Sequence, residues 1–186
     1  VYEDLQDNLW LGLDIGISFI NLSTQFTVYN DTKGTIGTVY SSLVYDDYLF
    51  LGTNQGLFYK LRESDNNFMF VEGTNGQVWS LKEIDGLLFC GHDSGTFIIK
   101  NQQIQQAFFD LPGTWDFKTL DSHTSIILQG NYSGLSLLEK NSGKWSFRNK
   151  IDGFDLSTRF YEQVDGKIFV NHELRGLYEL ILSDDL

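Results

Sequence analysis

Residues 91–95 read Gly-His-Asp-Ser-Gly, and this pattern of two glycines enclosing three residues recurs along the chain. Copies stand at 12–16 (Gly-Leu-Asp-Ile-Gly), 52–56 (Gly-Thr-Asn-Gln-Gly) and 130–134 (Gly-Asn-Tyr-Ser-Gly), and a degenerate copy, one residue longer, stands at 171–176. Successive copies are about 40 residues apart, a period typical of arrays of small all-β units, most often propeller blades. We therefore expect an all-β chain, a β-propeller of four-stranded antiparallel blades of about 40 residues each.

One repeat shows how such a blade is encoded. Residues 78–84 and 87–90 are strand-like runs joined by Asp85-Gly86, a dipeptide that favours a two-residue hairpin because both turn positions need positive φ. A third strand is expected at 96–100, after the glycine turn, and a weaker, more polar fourth strand at 104–109. The second glycine of each glycine turn is expected to adopt a left-handed conformation.

The repeat divides the whole chain. We expect a single propeller array over residues 1–186, with no linker and no helix of ten residues or more. Its blades are predicted at 1–36 (partial), 37–75, 76–113, 114–153 and 154–186 (partial). Three complete and two partial blades indicate a fragment of a larger propeller. The first hairpin turn of the fourth blade is expected to be longer than the others, at 121–125.

Composition restricts the class of partner. The formal net charge is −12 at pH 7, which disfavours binding of nucleic acid and of anionic membranes through this region. Cys90 is the only cysteine, so no internal disulfide can form, which is compatible with the cytosol and with a bacterial periplasm. No apolar run approaches the length of a membrane span, and no signal peptide is seen, so contact with a membrane is expected only through segments outside this sequence.

Two segments carry a family resemblance. Residues 9–17 read Leu-Trp-Leu-Gly-Leu-Asp-Ile-Gly-Ile, and residues 49–57 read Leu-Phe-Leu-Gly-Thr-Asn-Gln-Gly-Leu. They resemble the two-component-regulator propeller repeat, whose core is roughly Leu-Trp-Leu-Gly-Thr-x-x-Gly-Leu. That repeat builds the extracytoplasmic sensor of bacterial hybrid two-component regulators. It also occurs in proteins that join it to a triple-tyrosine domain, a membrane span and a helix-turn-helix output, and residues 76–81 resemble this second group more closely.

The resemblance implies a function. It implies a ligand-sensing or dimerising module of a bacterial signal-transduction or transcription regulator, located in the periplasm or otherwise outside the cytoplasm. The implied partners are an oligosaccharide or other nutrient-derived ligand and a second copy of the chain, as a homodimer or higher oligomer. The repeat motif marks turns and core strands, so it assigns no binding residue, and no cofactor is implied.

Candidate binding residues come from two repeat positions. One position in the first strand of successive blades holds Tyr40, Trp79, Trp115 and Arg159. Aromatic faces near a propeller channel can stack on sugar rings, and Arg159 can pair with a carboxylate or an acidic sugar. The same residues can instead be wedges that pack between neighbouring blades, and we weight this second interpretation more heavily.

The second position lies inside the glycine turns. It holds Leu13, Thr53, His92, Asn131 and His172, and the next position holds Asp14, Asn54, Asp93, Tyr132 and Glu173. These residues can form a polar rim that binds a polyhydroxylated ligand, or they can be solvated turn residues, which is the interpretation we favour. No metal site is expected, because the three histidines lie far apart and lack metal-ligand spacing. Cys90 is expected to be a buried apolar residue.

Two alternatives to a sensor remain from the sequence. The chain can be a protein-interaction scaffold of the WD type, which would use a disc face and no small-molecule pocket. It can also be a propeller lyase or hydrolase, for which Arg159, His172 and Tyr161 are the faint catalytic candidates. We rank the sensor first, the scaffold second and the enzyme third, and we expect no enzymatic activity.

Overall fold

The computed structural model describes residues 1–26, 29, 31, 33–64 and 66–183, and within them every regular element is a β-strand. The remaining residues of the predicted blades 1–36, 37–75 and 154–186 lie outside this description. The chain divides into two compact units, Val1–Lys33 and Gly34–Leu186, which we take in turn.

The first unit is a single antiparallel sheet, here called blade 1. Its strands are β1 (Tyr2–Glu3), β2 (Asn8–Gly12) and β3 (Ile17–Asn21), in that spatial order. The sequence left the first of these strands unclear. Asp4, which follows β1, accepts hydrogen bonds from the Trp10 indole Nε1 at 2.9 Å and from the Asn8 side chain at 3.0 Å. These hydrogen bonds hold the pKa of Asp4 down, at about 2.

The second unit contains four antiparallel sheets, blades 2 to 5, each a meander of consecutive strands. Blade 2 consists of β4 (Val39–Tyr45), β5 (Tyr48–Thr53), β6 (Leu57–Leu61) and β7 (Met69–Phe70). Blade 3 consists of β8 (Val78–Ile84), β9 (Leu87–His92), β10 (Gly95–Lys100) and β11 (Gln103–Phe108). Blade 4 consists of β12 (Thr114–Leu120), β13 (His123–Asn131), β14 (Gly134–Asn141) and β15 (Lys144–Lys150), and blade 5 of β16 (Phe160–Val164), β17 (Lys167–His172) and β18 (Gly176–Ile181).

Within the second unit, the first strands of blades 2, 3 and 4 lie side by side. Strand β4 packs beside β8, and β8 packs beside β12. From this shared line the sheets extend outward, strand after strand, in the order of the sequence. This is the blade arrangement of a β-propeller, and it confirms the predicted fold class.

The hydrophobic core lies between the blades. Leu88 and Cys90 point toward blade 2, whereas Phe89, between them in the sequence, points toward blade 4. Successive side chains of a strand point to opposite faces, so a strand covered on both faces must be apolar throughout. This requirement explains the uninterrupted apolar run of β9 that the sequence shows.

The hairpin turns follow the predicted chemistry, with one exception. Asp85 and Gly86 have φ of 56° and 69°, the two positive values that a two-residue turn of this type requires. The longer turn predicted at 121–125 is wrong. Strand β12 ends at Leu120 and β13 begins at His123, and these two residues pair across a two-residue turn.

In blades 2 to 4, the two glycines of the glycine turn have different reasons for being glycine. Gly95 has φ of +147°, a conformation that side chains rarely adopt, as the sequence predicted. Gly91 has no such backbone requirement. A Cβ at Gly91 would lie 2.5 Å from the carbonyl oxygen of Thr114, at the start of the next blade, and 3.3 Å from the Phe117 ring. The first glycine is therefore a close-approach site between neighbouring blades.

A closed ring of hydrogen bonds joins blades 3 and 4 through five buried polar side chains. Thr96 Oγ1 donates to Gln129 Oε1 at 2.6 Å, Gln129 Nε2 donates to Ser136 Oγ at 3.0 Å, and Ser136 Oγ donates to Asn131 Oδ1 at 2.7 Å. Asn131 Nδ2 donates to Thr114 Oγ1 at 3.2 Å, and Thr114 Oγ1 lies 2.9 Å from Thr96 Oγ1. Since the Thr96 proton is already donated, Thr114 must donate to Thr96.

Replacement of Gly91 by alanine should destabilise the fold. The added methyl group overlaps the Thr114 carbonyl, and overpacking of this kind costs about 1–3 kcal/mol. The matched control is Gly12→Ala, because no described atom lies within 4 Å of its Cβ position and its φ is not positive. Gly12→Ala should change stability by less than about 0.5 kcal/mol. Thermal and denaturant unfolding of both variants measures the difference, and equal effects would contradict the close-approach explanation.

Replacement of Thr96 by valine should also destabilise the fold. Valine keeps the shape but leaves the Gln129 oxygen and the Thr114 hydroxyl without their partner, at a cost of about 1–3 kcal/mol. Thr119→Val is the control, because the Thr119 hydroxyl has no hydrogen bond among the described residues, and it should be nearly neutral. Urea unfolding of the two variants provides the comparison. If Thr96→Val proved as neutral as the control, the ring would contribute nothing to stability.

Candidate functional site

The four residues of the first-strand column form a continuous stack across blades 2 to 5, which we call the aromatic row. The ring centroids of Tyr40 and Trp79 lie 4.8 Å apart, and those of Trp79 and Trp115 lie 4.7 Å apart. The Arg159 guanidinium carbon lies 5.0 Å from the Trp115 ring centroid. The structure thus brings together all four residues that the sequence placed at one repeat position.

A repeated β-bulge positions the row. In blade 3, Val78 pairs with His92 and Ser80 pairs with Gly91, so Trp79 is the unpaired extra residue. The same register shift occurs around Tyr40 in blade 2 and Trp115 in blade 4. A bulge bends the strand locally and re-aims one side chain. Each of these three blades therefore turns its bulge residue toward the neighbouring blade.

Tyr132, which the sequence placed only in the turn column, contacts the row. It lies in the glycine turn of blade 4, its hydroxyl accepts a hydrogen bond from Trp79 Nε1 at 2.8 Å, and its ring lies 4.9 Å from that of Trp115. A side chain at Gly113 would overlap the Tyr132 ring. Two features of the sequence could have indicated this contact. Residue 132 is an aromatic residue inside a glycine turn, and Gly113, between blades 3 and 4, leaves room for its ring.

The row leaves only certain groups available to a ligand. Both faces of Trp79 are covered, by Tyr40 and by Trp115, and the Trp115 indole nitrogen donates to Ser157 Oγ at 3.0 Å. Tyr40 at one end is 43% exposed, and the Arg159 side chain at the other is 49% exposed. A ligand would therefore contact the edges of the inner rings and the two ends of the row.

The turn column is mostly buried. Thr53, His92 and Asn131 are at most 2% exposed, and their side chains form hydrogen bonds within the turns or between blades. The expectation that these residues are solvated is wrong for all three, because the next blade covers the turns. Asn131 belongs to the hydrogen-bond ring described above. His172, in blade 5, is half-buried, and its Nδ1 accepts a hydrogen bond from the Leu174 amide at 3.2 Å.

His92 has an unusual environment. Its Nδ1 accepts a hydrogen bond from the Ser94 amide at 3.0 Å. Nε2 is buried, and the backbone of Thr74 and Asn75 interacts with the imidazole ring. Burial lowers the pKa of His92, and the Asp93 carboxylate, 2.7 Å from Nδ1, opposes that shift without reversing it.

The other reactive side chains of the sequence serve the core. Tyr161 is buried, and its hydroxyl donates to the Leu128 carbonyl at 2.9 Å, while burial raises its pKa well above the usual value. Cys90 is fully buried, and burial raises the pKa of its thiol. Within the described part of the chain, no group of three His, Cys, Asp or Glu side chains is placed to hold a metal ion.

Charged residues of the first strands pair across blade boundaries. Lys82 of blade 3 lies 2.9 Å from the Asp116 carboxylate of blade 4, and Lys118 of blade 4 lies 2.9 Å from Glu162 of blade 5. A polar cleft of about 360 Å³ lies beside these pairs. Asp116 and Glu162 also line a second pocket together with Arg159 of the aromatic row, so the paired carboxylates lie close to that end of the row.

The chain was also compared with known proteins. No family model matches it, and no curated protein matches it in sequence. In structure it is similar to the extracellular domain of a hybrid two-component system from B. thetaiotaomicron, with a TM-score of 0.62 and 17% identity over 95% of this chain and 25% of that one. The chain therefore spans about a quarter of that solved structure.

Two further solved structures are similar. The computationally designed Ika4 protein has a TM-score of 0.54 and 10% identity, over 78% of this chain and 92% of that one. The WD40 β-propeller domain of Doa1 has a TM-score of 0.48 and 16% identity, over 76% of this chain and 50% of that one. At these identities the similarities concern the fold. The similarity to the two-component system is consistent with the resemblance to the two-component-regulator propeller repeat. Separately, the described residues contain no helix of the length and apolar character needed to cross a membrane.

Lowering the pH from 7.5 to 5.5 should destabilise the protein through His92. The folded state resists protonation of this residue, whereas the unfolded chain takes up the proton near pH 6.5. The unfolded state therefore binds more protons in this pH range. The contribution of His92 to the free energy of unfolding is present in full above about pH 6.5 and is lost as the pH falls below that value. Thermal unfolding at several pH values measures the slope.

The variant His92→Gln should lose most of this slope. His123→Gln, which replaces an exposed histidine, is the control and should keep it. If both variants retained the slope of the original protein, the pH dependence would have to arise elsewhere.

Proposed function

We propose that the chain is a sensor segment of a bacterial signal-transduction protein, located outside the cytoplasm, that binds an oligosaccharide or another nutrient-derived ligand on the aromatic row. The observation that carries this proposal is the row itself. One side chain from each of four blades contributes to it, and its ends at Tyr40 and Arg159 are exposed. Aromatic edges and faces beside polar groups are the usual means of binding sugars, whose rings have apolar faces and polar rims.

The position of the row supports the proposal. Its contacts run to the glycine turns and to the links that enter each blade, through Tyr132 and Ser157. These segments share one side of the propeller, where connecting loops carry function on a rigid scaffold. The row is thus displayed on a surface of the second unit and is held by the core beneath it.

Similarity to an extracellular domain of a hybrid two-component system supports the location and the sensing role. In such a receptor the ligand would bind one arrangement of two sensor copies more tightly than another, and the difference in affinity would bias the output. Dimerisation and regulation of transcription are parts of this proposal that the row does not itself address.

Removal of the exposed end of the row should weaken binding. In the whole protein, Tyr40→Ala should reduce affinity for the bound oligosaccharide about tenfold, because a stacked aromatic contact contributes about 0.5–1.5 kcal/mol beyond its buried area. Phe109→Ala is the matched control, since Phe109 is an exposed aromatic residue of blade 3 outside the row, and it should bind normally.

Calorimetric titration with a panel of neutral and acidic oligosaccharides gives the affinities. Quenching of the fluorescence of Trp79 and Trp115 provides a second readout from the row. Circular dichroism checks that both variants are folded. If no oligosaccharide bound, or if Tyr40→Ala bound as tightly as the control, the proposal would be wrong.

A further inference from the structure

Arg159 ends the aromatic row with a cation. Its guanidinium carbon lies 5.0 Å from the Trp115 ring centroid and 5.2 Å from the Phe160 ring centroid. A guanidinium attracted to the face of an aromatic ring keeps N–H donors at its edge that other acceptors can use. The side chain is 49% exposed, so these donors can be reached from solvent.

Few of those donors are used within the protein. A guanidinium carries five N–H groups, and among the described residues the ion pair of Arg159 is a single contact, from Nη1 to Glu173 Oε1 at 3.5 Å. That distance is long for a charged hydrogen bond, and the Glu173 side chain is 58% exposed. The pair is therefore weak and easily exchanged for a better acceptor.

The neighbouring acidic residues already have cations. Asp116 is paired with Lys82 and Glu162 with Lys118, both at 2.9 Å. Glu173 is thus the acidic group that competes for Arg159. An incoming carboxylate that accepts two parallel N–H bonds would replace one long contact with a bidentate pair.

Resting on the function proposed above, we infer that the row selects an acidic sugar. A uronic acid residue would place its carboxylate on Arg159, displacing Glu173, while the linked sugar rings lie along the edges of Trp115 and Trp79. The negative net charge of the chain disfavours anions at long range, so selection depends on this local bidentate contact. In the absence of ligand, the Glu173 carboxylate occupies the position beside Arg159 that the ligand carboxylate would take.

The test compares each acidic oligosaccharide with its own neutral form. Oligomers of galacturonate, glucuronate, mannuronate and guluronate are titrated into the whole protein, together with the same oligomers after reduction of the carboxyl group to an alcohol. Three variants are measured beside the original protein: Arg159→Gln, Glu173→Gln and, as control, Arg175→Gln, which removes an equal charge from the turn that contains Glu173. Circular dichroism confirms folding in each case.

We expect at least one uronate oligomer to bind about tenfold or more tightly than its reduced form. Arg159→Gln should abolish this preference, Glu173→Gln should increase it by freeing the guanidinium, and Arg175→Gln should leave it unchanged. The increase in Glu173→Gln separates a binding role of Arg159 from a purely structural role beneath the ring of Trp115.

Equal binding of the acidic and reduced forms would overturn the inference while leaving the proposed function intact. So would an equal loss for both forms in Arg159→Gln, because that result would assign the residue to packing alone. Failure of every acidic and every neutral oligosaccharide to bind would overturn the proposed function, and the inference with it.

Discussion

The close approach of one blade to the glycine turn of the preceding blade is the constraint on which the rest of the structure depends. The carbonyl oxygen of Thr114 occupies the space that a side chain at Gly91 would fill, and Val78 meets Gly52 in the same way one blade earlier. Trp115 follows Thr114 in the sequence, and Trp79 follows Val78. The contact that sets the distance between blades therefore also places the next side chain, and the bulge then turns that side chain into the row. The same contact therefore determines both the packing of the blades and the position of the row.

The blade interfaces combine two kinds of interaction, one non-directional and one directional. Apolar clusters between the blades bury most of the core side chains, a large but non-directional contribution to stability. The ring of Thr96, Thr114, Gln129, Asn131 and Ser136 adds direction, because each hydroxyl and amide has one arrangement that satisfies all five. A buried polar network of this kind fixes the register between blades 3 and 4, since any slip would leave several groups unpaired. The row crosses the same interface between Trp79 and Trp115, so the same register fixes the positions of these two rings.

Local chemistry explains which parts of this structure the sequence could predict. The dipeptide Asp85-Gly86 encodes its turn within two residues, and the glycine turns encode the period, so strands and blades followed from spacing alone. The first-strand column could be aligned because its members stand at fixed offsets from those turns. The burial of His92 and Asn131 could not be inferred, because polar residues in a turn look solvated until the neighbouring blade is known to cover them. The place of Tyr132 in the row was missed for the same reason, since its hydrogen-bond partner Trp79 lies 53 residues away on the adjoining blade. Its ring contact, Trp115, lies on the first strand of its own blade.

The inner residues of the row are required by the fold, whereas the end residues can vary. Trp79 and Trp115 have their rings stacked on neighbours and their indole nitrogens bonded to Tyr132 and Ser157, so each is tied to more than one blade. Changing either ring would disturb the blade interface together with the row. The ends are less restrained, because Tyr40 and Arg159 each contact the row from one side and are exposed on the other. The two end residues can therefore be exchanged while the interior rings keep the blades in register.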